Sequence, residues 1–133
     1  ALAAEEIGQR GSRRAAARLG PEAPRARVVT VDMVGRLRPE GLHLVGLGQW
    51  PTRARGQLTE IARRHALAVQ ARPIHDSTSD HLAFLDVGAP TLHLTTGRHG
   101  DYHTPGDVAA RVEPSQAIWA FTADVLGWLA GRP

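Results

Sequence analysis

The residues of this sequence that could act together in a reaction are three carboxylates and one imidazole: Glu5, Glu6, Asp32 and His103. Each lies at, or soon after, the end of a segment with the pattern of a β-strand. Because sites in open α/β sheets lie outside the carboxyl ends of the strands, we expect these side chains to meet at one sheet edge. Carboxylate and imidazole without thiolate form an ordinary ligand set for catalytic zinc.

Each of these residues, taken singly, also has a plainer interpretation. A pair of adjacent glutamates is usually solvated surface. Asp32 could be a turn residue or a helix cap, and a single histidine in a loop is seldom a metal ligand. Only their combination at one edge of a sheet favours a functional site.

Alternating strand and helix patterns predict the scaffold that positions these residues. The predicted strands cover residues 1–4, 27–32, 42–46 and 90–95. The predicted helices cover residues 12–19, 52–70, 80–86 and 114–131, with polar loops at 71–80 and 97–107. We expect Ser12 to cap the first helix, Ser79 or Asp80 to cap the short third helix, and Pro114 to lie in the first turn of the last. This alternation predicts an α/β layered domain.

Composition excludes several classes of protein. The 133 residues suffice for one domain, and 42% of them are hydrophobic and 22% charged, as in globular proteins. The absence of cysteine excludes disulfides, thiolate zinc sites and a cysteine nucleophile. A net charge of +3 is too small to indicate a nucleic-acid partner, and no apolar run reaches the roughly 20 residues of a membrane span.

Four short blocks carry a resemblance to a known family. They are residues 4–8 (Ala-Glu-Glu-Ile-Gly) with Gly11-Ser12; 31–36 (Val-Asp-Met-Val-Gly-Arg); 79–84 (Ser-Asp-His-Leu-Ala-Phe); and 88–91 (Gly-Ala-Pro-Thr) leading to 101–107 (Asp-Tyr-His-Thr-Pro-Gly-Asp). In this order they resemble the second half of the catalytic domain of the M28 family of zinc peptidases, from residue 1 to about 129. The resemblance implies a three-layer α/β/α fold with a mixed, largely parallel sheet, and a single partial peptidase domain over residues 1–133.

The resemblance also implies a role for each matched residue. Glu5 resembles the general base that takes a proton from the metal-bound water, and Glu6 resembles a ligand of one of two zinc ions. His103 resembles the histidine that shares this zinc with Glu6, whereas Asp32 resembles a ligand of the other zinc. Tyr102 resembles a tyrosine that hydrogen-bonds the developing oxyanion.

The family's remaining ligands lie upstream of the Glu-Glu pair, in a His-x-Asp block and a bridging aspartate. Only four residues precede that pair here, so three of the five expected ligands are present. We therefore expect a piece of a longer polypeptide that alone binds zinc weakly and has little or no peptidase activity. A second His-x-Asp, His99 to Asp101, could substitute for the lost ligands or simply form hydrogen bonds within its loop. Asp80 could hold a ligand in place instead of capping its helix.

The function implied by the resemblance is hydrolysis of the amino-terminal residue of a peptide by a di-zinc aminopeptidase. Two alternatives remain: a non-catalytic binding or assembly module with the peptidase fold, and a glutaminyl-cyclase-like transferase with one zinc. Loss of the family's first strands would leave an exposed sheet edge and invite self-association. The family is often exported, although no targeting signal can be read at the start of this sequence.

Overall fold

A mixed sheet of four strands lies at the centre of the structure, a computed structural model that describes residues 5–113 and 115–131. The strands are β1 (Val28–Val31), β2 (Leu42–Val45), β3 (Val69–Arg72) and β4 (Thr91–Thr95). The α-helices are α1 (Arg10–Ala17), α2 (Thr52–Arg64), α3 (His81–Leu85) and α4 (Gln116–Leu129). Single 3₁₀ segments cover Gly20–Arg25, Leu47–Gln49 and Ala109–Arg111.

The strand order is β1-β4-β2-β3. Parallel ladders join β1 to β4 and β2 to β3, and one antiparallel ladder joins β4 to β2. Strand β1 therefore ends beside the end of β4, which places the residues that follow both strands at the same edge. The prediction of a mixed, largely parallel sheet is confirmed.

Alternation along the strands separates the two faces of the sheet. One face presents leucines that are fully buried against α2 and α4: Leu42, Leu44, Leu92 and Leu94. The other face is covered over β1 and β4 by α1 and α3, through a second cluster that includes Ala16, Ala83 and Phe84. Helices on both faces confirm the predicted three layers.

The predicted helix over residues 52–70 was wrong at its end. Helix α2 stops at Arg64, and β3 occupies residues that were assigned to the helix and to the following loop. Ala66 has a φ of 50°, and the amide of Leu67 donates to the carbonyl of Ala62. This left-handed helix ending usually uses glycine, so an alanine there concealed the stop.

The predicted caps were also partly wrong. Helix α1 begins at Arg10 with Gln9 as its N-cap, and the Ser12 hydroxyl donates to the carbonyl of Gln9 instead of capping the helix. Asp80 is the N-cap residue of α3, but its side chain makes no capping hydrogen bond. The predicted strand at residues 1–4 and the predicted role of Pro114 lie outside the described residues.

No helix within residues 5–113 and 115–131 is long and apolar enough to cross a bilayer.

Burial on α4 predicts a strong difference between two aromatic substitutions. Phe121 is fully buried, whereas Trp119 on the same helix is 57% exposed. We expect Phe121→Ala to lower the free energy of unfolding by about 3–5 kcal/mol, because it leaves a cavity in the core. Trp119→Ala should change it by less than about 0.5 kcal/mol. Urea denaturation of both variants checks this; equal losses would contradict the packing described here.

Candidate active site

A cleft of about 880 Å³ opens at the edge of the sheet where β1 and β4 end. All six residues predicted for the site line it: Glu5, Glu6, Asp32, Asp80, Tyr102 and His103. The two glutamates come from the turn before α1, Asp32 follows β1, Asp80 directly precedes α3, and the Tyr-His pair lies in the loop after β4. Four separate segments of the chain therefore converge on one cavity.

The turn that carries Glu5 and Glu6 is tied to the loop that carries Ser79. The amide of Gln9 donates to the carbonyl of Glu5, and the Gln9 side chain donates to the carbonyl of Ser79 at 2.9 Å. Partial burial, followed by the negative charges of Glu6, Asp32 and Asp80, raises the pKa of Glu5. A carboxyl group with a raised pKa is better suited to accept a proton.

Asp32 is fixed at both its backbone and its side chain. Its amide donates to the carbonyl of Leu94, and one carboxylate oxygen accepts a hydrogen bond from the Ser79 hydroxyl at 3.1 Å. Ser79 is almost fully buried whereas Asp32 is exposed, so one side of the contact is shielded from water. Within the described residues, Oδ1 of neighbouring Asp80 is buried without a hydrogen-bond partner. Ser79, predicted as a cap, instead orients a predicted ligand.

His103 faces Glu6 across the mouth of the cleft. Its Nε2 lies 3.6 Å from Oε1 of Glu6. Two ligands that bind one zinc at about 2.1 Å with tetrahedral angles lie about 3.4 Å apart, so this pair has the spacing of zinc donors. The Tyr102 ring stacks on the imidazole, with ring centroids 3.9 Å apart. His103 has a φ of 55°, a left-handed conformation that costs a non-glycine residue about 1–2 kcal/mol.

Glu6 and His103 suit zinc in chemical type and in spacing, but no third donor joins them within the described residues. Within residues 5–113 and 115–131, no three histidine, aspartate or glutamate side chains are grouped closely enough to hold a metal ion. Glu6 and His103 form a pair, whereas Asp32 accepts a hydrogen bond from Ser79 and is not part of that pair. Asp101 does not join them, because its oxygens accept hydrogen bonds from Arg36 and Arg111. These residues could supply part of a metal site.

The sequence match identifies the family. The family model of peptidase family M28 matches residues 1–128. This chain belongs to peptidase family M28. No curated protein matches the sequence of this M28 chain.

Solved aminopeptidase structures share the fold of this M28 chain. BSAP, a zinc aminopeptidase from Bacillus subtilis, is 20% identical with a TM-score of 0.75, over 97% of this chain and 34% of that one. The aminopeptidase from Aneurinibacillus sp. strain AM-1 is 24% identical with a TM-score of 0.72, over 99% and 32% of the two chains. For the LapA aminopeptidase of Legionella pneumophila the identity is 15% and the TM-score 0.67, over 94% and 36%. This M28 chain thus spans about a third of the length of these proteins.

A buried pair of histidines behind the cleft of this M28 chain was not predicted. His93 accepts or donates hydrogen bonds with Thr30 at 2.9 Å and Ser77 at 3.3 Å, and its ring stacks on His81 at 4.4 Å. The pair braces the loop that carries Ser79, since His81 also bonds the carbonyl of Ile74. No pattern in the sequence indicates the contact between His93 and Ser77.

Burial of this pair predicts a loss of stability at acid pH. Burial and the neighbouring His81 lower the pKa of His93 from 6.5 to about 3. The folded state therefore excludes a proton that the unfolded state binds, so stability present above pH 6.5 is lost as the pH falls towards 3. For this group alone we expect a loss of about 2 kcal/mol between pH 7 and pH 5.

The measurement is the free energy of unfolding by urea at pH 7 and at pH 5, for the wild type and for His93→Gln. The amide of glutamine can hydrogen-bond but does not titrate. The variant should lose about 2 kcal/mol less than the wild type over this interval. Equal losses in the two proteins would show that His93 takes up its proton without cost in the folded state.

Proposed function

We propose that this chain is part of a co-catalytic di-zinc aminopeptidase domain that removes amino-terminal residues from peptides. The observation that carries the proposal is the 3.6 Å separation of Glu6 and His103 in a cleft also lined by Glu5, Asp32 and Tyr102. Membership of peptidase family M28 and the fold shared with aminopeptidases support it.

In this proposal, Glu6 and His103 hold one zinc ion and Asp32 holds the other. Bound zinc ions polarise the scissile carbonyl and lower the pKa of the attacking water. Glu5, which lines the same cleft next to Glu6, acts as the general base that takes up the proton of the attacking water. The same carboxyl then gives the proton to the leaving amine.

The remaining groups of the cleft position the peptide. The carboxylates of Glu5, Glu6, Asp32 and Asp80 make one wall of the cleft negative, which attracts the free ammonium group of a substrate. The hydroxyl of Tyr102, beside His103, donates to the oxyanion that forms at the carbonyl carbon. An exopeptidase needs both features, since it must recognise a free terminus next to the bond that is cleaved.

The chain acts, in this proposal, as one partial domain over residues 1–133, with an incomplete set of zinc ligands. The relatives of similar fold are about three times as long. Among the described residues, β1 pairs only with β4, so its other edge is open to a further strand. Val31 on this edge is 37% exposed. Further ligands would come from a longer polypeptide or from a second copy that pairs through this edge.

Zinc titration of the 133-residue chain, followed by isothermal calorimetry, tests the proposed ligands. We expect micromolar binding that weakens at least about tenfold in His103→Ala, because the zinc loses one of its two protein donors. His75→Ala is the matched control, since His75 also lines the cleft but is not one of the proposed zinc ligands. Equal affinities for the wild type and His103→Ala would contradict the assignment.

Turnover separates the aminopeptidase from its alternatives. We expect little or no hydrolysis of leucine p-nitroanilide by this chain alone. A longer polypeptide that contains this chain should hydrolyse the substrate, and Glu5→Gln in that polypeptide should abolish the hydrolysis. Cyclisation of a peptide with amino-terminal glutamine by that polypeptide, without hydrolysis, would instead identify a transferase. Zinc binding with neither reaction would indicate a non-catalytic module.

A further inference from the structure

The loop that carries Tyr102 and His103 has no hydrophobic anchor of its own. None of residues 97–113 is buried, and its two large aliphatic side chains, Val108 and Val112, are 45% and 50% exposed. Turns within the loop satisfy its own backbone, as when the amide of Thr104 donates to the carbonyl of Asp101. Such turns fix the local shape of a loop but not its position on the domain. Another interaction must hold the imidazole opposite Glu6.

The segment that follows Asp32 runs along the base of this loop. At one end, the amide of Thr96 donates to the carbonyl of Met33. At the other end, the amide of Glu113 donates to the carbonyl of Gly35 at 2.6 Å. A Cβ atom at Gly35 would lie 2.9 Å from a methyl group of Val112, so a larger residue would require Val112 to shift. This backbone contact places the next residue, Arg36, within hydrogen-bonding distance of the loop.

The Arg36 side chain joins the two ends of the turn that holds Tyr102 and His103. Its Nη1 donates to Oδ2 of Asp101 at 2.6 Å, and its Nη2 donates to Oδ1 of Asp107 at 3.0 Å. The side chain is only 19% exposed, which makes these charge-assisted bonds stronger than those on an open surface.

Further contacts converge on the same two carboxylates. Arg111 donates to Oδ1 of Asp101 at 2.6 Å, and Nε2 of His99 lies 3.6 Å from Oδ2 of Asp107. A Cβ atom at Gly106 would lie 3.0 Å from Oδ1 of Asp101, so the backbone is folded closely over this pair. Asp101 therefore accepts hydrogen bonds from two guanidinium groups, one on each carboxylate oxygen.

We propose that Arg36 is a positioning residue that bridges Asp101 and Asp107 and so holds Tyr102 and His103 in place over the cleft. Arg36 acts through Asp101 and Asp107, which lie at the two ends of the turn that carries Tyr102 and His103. Because Arg36 stands four residues after Asp32, the same short segment sets the place of both predicted zinc donors. The consequence for zinc rests on the proposed function, whereas the order of the loop does not.

The first test measures loop order in the metal-free chain by ¹⁵N relaxation. In the wild type we expect backbone order parameters of about 0.85 for residues 99–107. In Arg36→Ala the order parameters of the same residues should fall below about 0.6. Arg36→Lys should restore order only in part, because an ammonium group cannot span two carboxylates as a guanidinium fork does. Strand β4 and helix α4 should be unchanged in both variants.

Arg63→Ala is the matched control. Arg63 also donates two hydrogen bonds, at 2.9 and 2.8 Å, but to the exposed Glu60 on α2. It should leave the order of residues 99–107 as in the wild type. If Arg36→Ala fails to fold, Asp101→Asn removes the charge that binds Arg36 and Arg111 while keeping the shape of the side chain, and it should loosen the same residues.

The second test measures zinc affinity. Arg36→Ala should weaken binding by about 10- to 100-fold, as loss of a group that orients a ligand commonly does, and Arg36→Lys should weaken it less. A loop that stays ordered in both Arg36→Ala and Asp101→Asn would overturn the proposal. Loss of order in a chain whose wild type binds no zinc would leave the positioning role intact and refute only the proposed metal site.

Discussion

Parallel pairing of β1 with β4 is the constraint on which the cleft depends. Because both strands run in the same direction and are hydrogen-bonded as neighbours, the residues that leave them emerge side by side at one edge. Asp32 emerges from β1 and the loop with His103 emerges from β4, although 71 positions separate them in the sequence. Burial of Leu92 and Leu94 against α2 and α4 fixes the register of β4, since a slip of this strand by one residue would turn both leucines to the other face of the sheet.

Polar interactions, and not the hydrophobic core, complete the site above that edge. Ser79 holds the carboxylate of Asp32, and Gln9 ties the glutamate turn to the loop of Ser79. The stacked pair of His81 and His93 supports that loop from below as neutral imidazoles in a buried setting. Burial of a polar group costs free energy unless the group is hydrogen-bonded. The hydrogen bonds of these two histidines offset that cost and hold the loop of Ser79 in a fixed position beside the cleft.

The meeting of Asp32 and the loop of His103 at one sheet edge could be predicted, because each follows a strand with a strong pattern. The β-branched run before Asp32 and the alternation before the loop of His103 are local signals, and the rule for strand ends joins them. Strand β3 was not predicted because the preceding helix ends at Ala66, which adopts a left-handed conformation although it is not glycine. The contacts of His93 with Ser77 and of Arg36 with Asp101 join distant segments, so no local period could show them.

Diffraction at the zinc absorption edge, from crystals of the 133-residue chain grown with zinc, would show whether Glu6 and His103 bind the same metal ion. We expect an anomalous peak in the cleft within about 2.1 Å of both Glu6 and His103. Water or a neighbouring copy would fill any remaining coordination positions. A peak elsewhere, with Glu6 and His103 apart and free of metal, would contradict a zinc site shared by these two residues.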